Sequence, residues 1–250
     1  MVLLGMASCC CCCCCCCWLA LVVAAGAQPN GRPPPGPPKP APSANLLVFN
    51  RGDRIEETNQ TCGCFRIPSL VRTHRGTLLA FAEGRIGGCR PDVAANRPLV
   101  VRSSADDGRN WTSIRIAVPA DTAYGTNYPA ATVLADGTVL LTFFKSAGDA
   151  PGAWSTRSTD DGVTFSPPVQ MPGSCAAFPA VLMADNKTLV APCSSYATIS
   201  TDNGQTWRRS AGNITLGPNV TGLGESTLVA DGRANGAGLS MFIRAGSHSA

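Results

Sequence analysis

The sequence predicts an all-β fold, a β-propeller, from a repeated turn motif, a composition rich in glycine and proline, and the lack of a helical pattern. The motif S-x-D-x-G-x-[TN]-[WF] occurs three times, at residues 104–111, 158–165 and 200–207. An aspartate near a glycine that accepts positive φ favours a tight hairpin turn, and the closing aromatic covers that turn. The spacing of the copies matches the roughly 40–50 residues of one four-stranded propeller blade.

The positions that define the motif carry the same kinds of residue in every copy. They are Ser104, Asp106, Gly108 and Trp111, then Ser158, Asp160, Gly162 and Phe165, then Ser200, Asp202, Gly204 and Trp207. We expect these residues to have a structural role, because each type serves the turn itself.

The composition agrees with short strands joined by turns. Charged residues make up 14% of the chain, and 250 residues include 26 glycines and 20 prolines, which disfavours long charged helices. The formal net charge is +4. Its basic residues are scattered, so a nucleic-acid-binding surface has little support, whereas a small anionic ligand is compatible with this charge.

Residues 1–27 form an apolar leader that contains nine consecutive cysteines, Cys9–Cys17. The leader ends in small residues, Ala25-Gly26-Ala27, as a signal-peptidase site requires, and its apolar run is short for a membrane span. It therefore predicts a signal peptide and a secreted or lumenal protein, in the lysosome or outside the cell. Because the usual positive n-region is missing, an uncleaved membrane anchor, a palmitoylated cysteine tract and a wrongly assigned gene start stay open.

A proline-rich linker follows over residues 28–44, and a β-domain is predicted over residues 45–250. The linker cannot form a core and should be an extended, polyproline-like spacer. The β-domain is long enough for about three to four blades, whereas a closed six-bladed propeller needs more chain.

Apolar segments bounded by Gly, Asp and Asn turns predict strands along the whole β-domain. They cover residues 46–49, 67–72, 77–83, 99–103, 113–118, 130–134, 138–144, 154–158, 180–183, 188–191, 197–200, 226–229 and 239–243. In a propeller, loops of different blades converge on one mouth, so we expect a site built from residues far apart in sequence.

The cysteines beyond the leader are odd in number: Cys62, Cys64, Cys89, Cys175 and Cys193. In an oxidising compartment this predicts disulfides of open pairing with at least one thiol left over. A metal site at the C-x-C pair is disfavoured, because no histidine is close and the spacing fits no zinc pattern. Glycosylation sequons occur at Asn59, Asn110, Asn186, Asn213 and Asn219, which agrees with secretion.

Four sequence features between residues 65 and 111 follow one another in a characteristic order. They are Phe65-Arg66-Ile67-Pro68, the segment Leu79–Arg85, Asp92 in a glycine-rich loop, and the first turn motif. This order resembles the sialidase (neuraminidase) family, exo-α-sialidases with Asp-box (BNR) repeats. The resemblance implies a six-bladed β-propeller of the sialidase type, of which this chain would hold the first three to four blades as an N-terminal fragment.

The resemblance also implies a chemistry for four residues. Arg66 and Arg244 match two members of an arginine triad that grips the substrate carboxylate through paired hydrogen bonds. Asp92 matches the acid/base carboxyl that protonates the leaving-group oxygen and later deprotonates water. Glu225 matches the glutamate that activates a tyrosine nucleophile. No metal or organic cofactor is expected, and the implied partners are sialylated glycans of glycoproteins, gangliosides and oligosaccharides.

Each of these roles has a plainer alternative. Arg85 resembles an arginine that contacts substrate hydroxyls, but it would equally form a structural pair with Glu83. The two triad arginines would otherwise form surface ion pairs. The two catalytic carboxyl groups would otherwise be a turn aspartate and an exposed strand-end glutamate.

The chain departs from the family in its tyrosines and histidines. The nucleophilic tyrosine and the third arginine match no residue here, since the tyrosines are Tyr124, Tyr128 and Tyr196. We expect Tyr128 in a loop facing the mouth, where it contacts a ligand or packs. His74 and His248 show no catalytic pattern and are expected on the surface.

The sequence thus predicts a glycoside hydrolase, an exo-α-sialidase that removes terminal sialic acids with retention in a full-length form. The 250-residue chain is expected to be inactive. An inactive sialic-acid-binding module or a truncated product is the alternative. A third possibility is a propeller that shares only the turn motif and acts on another polysaccharide or binds a protein.

Overall fold

The computed structural model describes residues 47–90, 96–120, 125–146, 151–173, 179–193, 195–215, 220–230 and 238–247. The leader and the proline-rich linker lie outside the described residues, and so do Asp92, Tyr124, Cys175 and His248. All regular structure in the described part of the chain is β. Within it, no helix reaches the length and hydropathy needed to cross a membrane.

The strands form three four-stranded sheets and one two-stranded sheet, each antiparallel. Sheet 1 contains β1 (Cys64–Arg72), β2 (Leu78–Arg85), β3 (Leu99–Ser104) and β4 (Arg115–Val118). Sheet 2 contains β5 (Thr126–Val133), β6 (Val139–Lys145), β7 (Gly152–Ser158) and β8 (Val169–Gln170). Sheet 3 contains β9 (Val181–Leu182), β10 (Leu189–Cys193), β11 (Tyr196–Ser200) and β12 (Arg208–Arg209), and sheet 4 contains β13 (Val220–Ala230) and β14 (Leu239–Ser247).

Strands that follow each other in sequence are neighbours in every sheet. Most predicted strands are confirmed with shifted ends, but the one over residues 46–49 is wrong, because residues 47–50 form a bend. That bend is held by other contacts: the carbonyl of Val48 accepts a 2.6 Å hydrogen bond from Arg102 Nη1, and Phe49 stacks on Phe65. Strands β8 and β12 were not predicted from the sequence, because two residues are too few to show the alternation of apolar and polar side chains that marks a strand.

The hydrophobic core lies between successive sheets. Phe81 and Leu99 of sheet 1 pack with Leu141 and Phe143 of sheet 2. A second cluster joins sheet 2 to sheet 3 through residues that include Leu140 and Leu189 of the central strands. Because β2 and β6 are covered on both faces, they are buried without alternation, β2 over residues 79–85 and β6 over residues 139–143.

The face of sheet 1 turned away from sheet 2 is covered by the segment that precedes β1. Ile55 and Cys62 of this segment are buried together with Ala82, Val100 and Ile114. The segment therefore completes the packing of sheet 1 on its second side.

The three turn motifs connect the third strand to the fourth in each four-stranded sheet and share one hydrogen-bond pattern. In each copy the serine hydroxyl donates to the aspartate over 2.7–2.8 Å and accepts from the glycine N–H over 2.8–2.9 Å. The aspartate also accepts from the backbone N–H four residues on, at 2.9 Å in every copy. The glycine has positive φ, as the sequence predicted, and so does the residue before it, which the sequence did not predict.

The cysteines of the described residues are either disulfide-bonded or free. Cys64 and Cys89 form a disulfide with a Cα–Cα distance of 5.1 Å, and Cys193 is also disulfide-bonded. Cys62 is a buried free thiol. Burial, and then the charge of Asp53, raise the pKa of the Cys62 thiol to about 11.

Candidate functional site

The first strand of sheet 1 and that of sheet 2 carry the same irregularity. The pairing register of β1 shifts between Arg66 and Ser69, and Ile67 within the shift has a φ of 52°. In β5 the register shifts between Asn127 and Ala130, and Tyr128 has a φ of 56°. Both residues of positive φ precede a proline. Such bulges redirect side chains out of the regular alternation and are common beside active sites.

Arg66 lies in the bulge of β1, next to the entry of the strand. Its side chain is exposed and borders a cavity of about 210 Å³ that Phe49, Phe65, Pro68 and Ala82 also line. A guanidinium beside apolar walls can hold a carboxylate in fixed geometry.

Sheet 4 brings together two candidate residues, Glu225 on β13 and Arg244 on β14. The register of β13 and β14 shifts between Leu223 and Ser226, and Glu225 lies in this shift. Its Oε2 lies 2.6 Å from Arg244 Nε. The contact is an ion pair rather than a hydrogen bond, because Glu225 Oε2 has no hydrogen-bond partner of suitable angle among the described residues. The Arg244 side chain is 72% exposed, so its fork is open to a ligand.

Arg85 is buried and bound by neighbours at the end of β2. Its Nε and Nη2 donate to Glu83 Oε2 over 2.8 and 2.5 Å, and its Nη1 donates to the Cys89 carbonyl over 2.5 Å. The side-chain exposures of Arg85 and Glu83 are 3% and 1%. This geometry is that of a structural pair, which was one of the two alternatives for Arg85.

Tyr128 is part of strand β5, so its placement in a loop was wrong. The Pro129 that follows it hid the strand, because proline usually interrupts a strand except at a bulge. The backbone N–H of Tyr128 donates to Glu83 Oε1 over 3.1 Å. Glu83 therefore links sheet 1 to sheet 2 through its second oxygen.

Asn127 is a polar residue near the site that sequence reasoning missed. It lies in the bulge of β5 at the position that Arg66 holds in β1, and it is 2% exposed. Its Nδ2 donates to the Gly125 carbonyl, while Oδ1 has no partner among the described residues. The sequence Asn127-Tyr128-Pro129 is similar to Arg66-Ile67-Pro68, and this similarity could have identified Asn127.

The candidate residues form two groups in the described residues. Arg66, Glu83 and Arg85 lie on sheet 1, where Arg66 and Glu83 are register partners, and Glu225 and Arg244 lie on sheet 4. Asp92, the predicted acid/base residue, falls outside the described residues.

The remaining predicted residues lie elsewhere. His74 is exposed on the β1–β2 turn and lines a separate cavity of about 380 Å³ with Asp136 and Asp161. Tyr196 forms a cation–π contact, in which Arg209 Cζ lies 3.9 Å from the centroid of the Tyr196 ring. Among the described residues, no group of three or more His, Cys, Asp or Glu side chains is placed to hold a metal ion.

In sheet 1 the turn motif and Arg66 lie at opposite ends of the strands. The motif follows the end of β3, whereas Glu83, the register partner of Arg66, pairs with Leu99 at the start of β3. Hydrogen bonds from the Asn110 backbone, the Asn110 amide and the Ser104 hydroxyl lower the pKa of Asp106 to about 2. The Thr206 hydroxyl and backbone likewise lower the pKa of Asp202 to about 2. Such carboxylates stay charged and cannot act as proton donors near neutral pH.

No protein-family model matches the chain. A curated exo-alpha-sialidase of Arthroderma benhamiae is 30% identical over 43% of this chain and 33% of the relative. A curated sialidase of Clostridium perfringens is 26% identical over 68% of this chain and 53% of the relative. The chain thus spans about half or less of the length of these relatives.

Solved structures share the fold at low identity. The intramolecular trans-sialidase of Ruminococcus gnavus, in complex with oseltamivir carboxylate, matches with a TM-score of 0.59 and 14% identity, over 80% of this chain and 68% of that one. The α-L-arabinanase of Penicillium chrysogenum, complexed with arabinobiose, matches with a TM-score of 0.51 and 18% identity, over 76% and 59%. The fold is therefore of the kind found in sialidases and arabinanases, and the curated relatives support a sialidase-like family for this chain.

Proposed function

We propose that this chain contributes the N-terminal part of the site of an exo-α-sialidase that releases terminal sialic acids from glycoproteins, gangliosides and oligosaccharides with retention. The observation that supports this most is the placement of Arg66 and Glu225, each in the bulge of a first strand. Bulges aim side chains at sites, and these are the two strands on which the resemblance implies an arginine and a glutamate.

The substrate class follows from the arginines. A sialic acid carries a carboxylate on its anomeric carbon, and an exposed guanidinium binds a carboxylate through two parallel hydrogen bonds. Arg66 and Arg244 are both exposed. In this proposal they are two of the three arginines that hold the substrate carboxylate.

Glu225 is proposed as the base that activates a tyrosine nucleophile. Sialidases use tyrosine instead of the usual carboxylate nucleophile, and a neutral phenol avoids repulsion by the substrate carboxylate. The ion pair with Arg244 holds the Glu225 carboxylate in place. No tyrosine of this chain is assigned as the nucleophile, and no arginine as the third member of the triad.

Asp92 is proposed as the acid/base residue, and the turn motifs as structural Asp-boxes of a six-bladed propeller. The proposal also includes a signal peptide and a secreted or lumenal location. The alternative is a catalytically inactive sialic-acid-binding module, which needs the arginines but neither the nucleophile nor Asp92.

The proposal is tested by calorimetric binding of a planar 2,3-unsaturated sialic acid to the 250-residue chain, together with a fluorogenic α-sialoside hydrolysis assay. Hydrogen bonds to charged groups contribute about 1.5–3 kcal/mol, so Arg66→Ala should raise Kd about 10- to 150-fold. Arg66→Lys should recover little of the loss, because lysine lacks the planar fork.

The matched control is Arg72→Ala, at the far end of the same strand, where Arg72 forms an exposed ion pair with Asp107. It should leave Kd unchanged. Binding without hydrolysis is the result expected of this chain, because the proposal assigns it neither the nucleophilic tyrosine nor the third arginine. Binding that ignores Arg66, or binding of arabino-oligosaccharides instead, would contradict the proposal.

A further inference from the structure

The two strands that carry a proline bulge, β1 and β5, are each an edge strand of their sheet. In both bulges two residues, the second of them a proline, lie opposite one residue of the next strand. The bulge of β1 is at residues 67–68, and that of β5 is at residues 128–129. The edges of sheets 1 and 2 therefore depart from regular pairing in the same way.

Two side chains of sheet 1 accept backbone N–H groups of β5. Glu83 Oε1 accepts the N–H of Tyr128, within the β5 bulge, over 3.1 Å. Ser69 Oγ accepts the N–H of Ala131, just after that bulge, over 3.0 Å. In sheet 1, Glu83 is the register partner of Arg66 at the start of the β1 bulge, and Ser69 directly follows the bulge. The two hydrogen bonds therefore join the bulges near both of their ends.

Both acceptors are held in place by sheet 1. The Glu83 side chain is 1% exposed, and its other oxygen, Oε2, accepts from Arg85 Nε over 2.8 Å. Ser69 is half-buried and lies in the paired part of β1. On the other side, Ala131 is 4% exposed, so its N–H needs an acceptor within the protein. The contact between the sheets is thus made by groups with little freedom to move apart.

The bulges need such support because each contains strained backbone. Ile67 has a φ of 52° and Tyr128 a φ of 56°. Conformations of this kind persist only where the surrounding structure over-determines them. Arg66 directly precedes Ile67, so a change in the β1 bulge would redirect its guanidinium. The direction matters, because paired hydrogen bonds to a carboxylate require a fixed geometry.

We propose that Ser69 and Glu83 are positioning residues for Arg66. They hold the bulge of β5 against the bulge of β1 and thereby set the direction from which Arg66 meets a carboxylate. This rests on the proposed function of Arg66. Neither side chain touches the ligand, since each acts through the backbone that it holds.

The first test measures the two hydrogen bonds without a ligand, by NMR-detected amide hydrogen exchange of the 250-residue chain. In Ser69→Ala the Ala131 N–H should exchange about five-fold or more faster than in the parent, because opening no longer breaks a hydrogen bond. Ser69→Thr keeps a hydroxyl and should stay within about two-fold of the parent. Glu83→Asp keeps the charge beside Arg85 but withdraws the carboxylate by one methylene, so Tyr128 should exchange about five-fold or more faster.

The second test measures the Kd of the unsaturated sialic acid analogue by NMR titration, which also reaches millimolar values. Ser69→Ala should raise Kd about three- to ten-fold, because Arg66 is no longer pre-organised, and Ser69→Thr should restore the parent value. In an Arg66→Ala background, Ser69→Ala should change Kd by less than about two-fold, because Ser69 acts through Arg66. A merely structural role of Ser69 would not depend on Arg66.

Ser210→Ala is the matched control. Ser210 Oγ accepts the N–H of Ala197 over 3.1 Å in sheet 3, which is the same kind of contact outside both bulges. This variant should accelerate exchange at Ala197 by a similar factor and leave Kd unchanged.

The outcomes separate the positioning role from the function. Unchanged exchange at Ala131 in Ser69→Ala, or at Tyr128 in Glu83→Asp, overturns the joining of the bulges. Faster exchange with an unchanged Kd overturns the positioning of Arg66. An equal rise in Kd in the Arg66→Ala background or in the control variant overturns it too. If the parent chain does not bind the analogue, the proposed function fails, while the exchange rates still decide whether the bulges are held together.

Discussion

Positive φ at Ile67 and Tyr128, which are neither Gly, Asn nor Asp, marks the bulges beside the candidate site. Ile67 and Tyr128 adopt this conformation in β1 and β5, at an order-of-magnitude cost of 1–2 kcal/mol for a residue with a Cβ. The strained residues directly follow Arg66 and Asn127, where the pairing registers of β1 and β5 shift. Strain of this kind persists where the surrounding structure holds it, and it points to a functional reason for the bulges.

Positive φ has a different role in the turn motifs, where glycine lets one sheet approach the next. Gly162 has a φ of 82°, and a Cβ there would lie 2.6 Å from Leu79 Cδ1 of sheet 1. Leu79 is fully buried, so it has no room to move. Gly162→Ala should lower the free energy of unfolding by about 2–4 kcal/mol, through backbone strain and overpacking together.

Denaturant unfolding of two control variants checks this value. Gly108 has a similar φ of 83°, but a Cβ there would lie 3.5 Å from its nearest atom. Gly108→Ala should therefore lower the free energy of unfolding by about 1–2 kcal/mol, through backbone strain alone. Gly212→Ala, with no atom within 4 Å of its Cβ, should be nearly neutral. Equal losses at Gly162 and Gly108 would contradict the steric part of the argument.

At the scale of the element, the turn motif is a small hydrogen-bonded unit built around a charged aspartate. The hydrogen bonds of Asp106 lower its pKa from 3.8 to about 2. A carboxyl whose pKa is lower in the folded state stabilises the fold above its unfolded pKa, and the contribution is lost as pH falls through the folded pKa. The window for this loss is therefore from about pH 4 to about pH 2.

Replacing Asp106 with Asn should remove part of this acid sensitivity. The melting temperature of the parent chain should fall between pH 4 and pH 2 more steeply than that of Asp106→Asn, although the variant is less stable at pH 7. Asp107→Asn is the matched control, since the contact described for Asp107 is an exposed ion pair with Arg72. A parallel acid decline in the parent and in Asp106→Asn would show that the turn is not a source of the pH dependence.

At the scale of the whole molecule, stability comes from apolar side chains shared by successive sheets. Phe143 of β6 is fully buried in the cluster that joins sheets 1 and 2, and Phe242 of β14 is 61% exposed. Phe143→Ala should cost about 3–5 kcal/mol of unfolding free energy because it leaves a cavity. Phe242→Ala should cost under about 1 kcal/mol.

Urea unfolding of the two variants measures this difference, with the slope m showing whether unfolding stays cooperative. A small loss at Phe143 with a changed m would mean that the sheets unfold separately. That result would contradict a core shared between sheets.

Most of the strands could be predicted, because their signals are local. The turn motif identifies the end of each third strand through its own serine, aspartate and glycine, and largely apolar segments such as residues 138–144 identify central strands. The two-residue strands β8 and β12 could not be predicted, since their pairing depends on a neighbour and not on their own pattern.

The candidate site was predictable only as a set of residue types. An all-β chain with three repeated turns follows from the sequence, and the resemblance singles out Arg66, Glu225 and Arg244. That Glu225 lies against Arg244, that Arg85 is enclosed by Glu83 and Cys89, and that Cys64 pairs with Cys89 became known from the three-dimensional structure. The physical reason is that turns and strands are set by nearby residues, whereas ion pairs and disulfides depend on which strands become neighbours and where a bulge shifts their register.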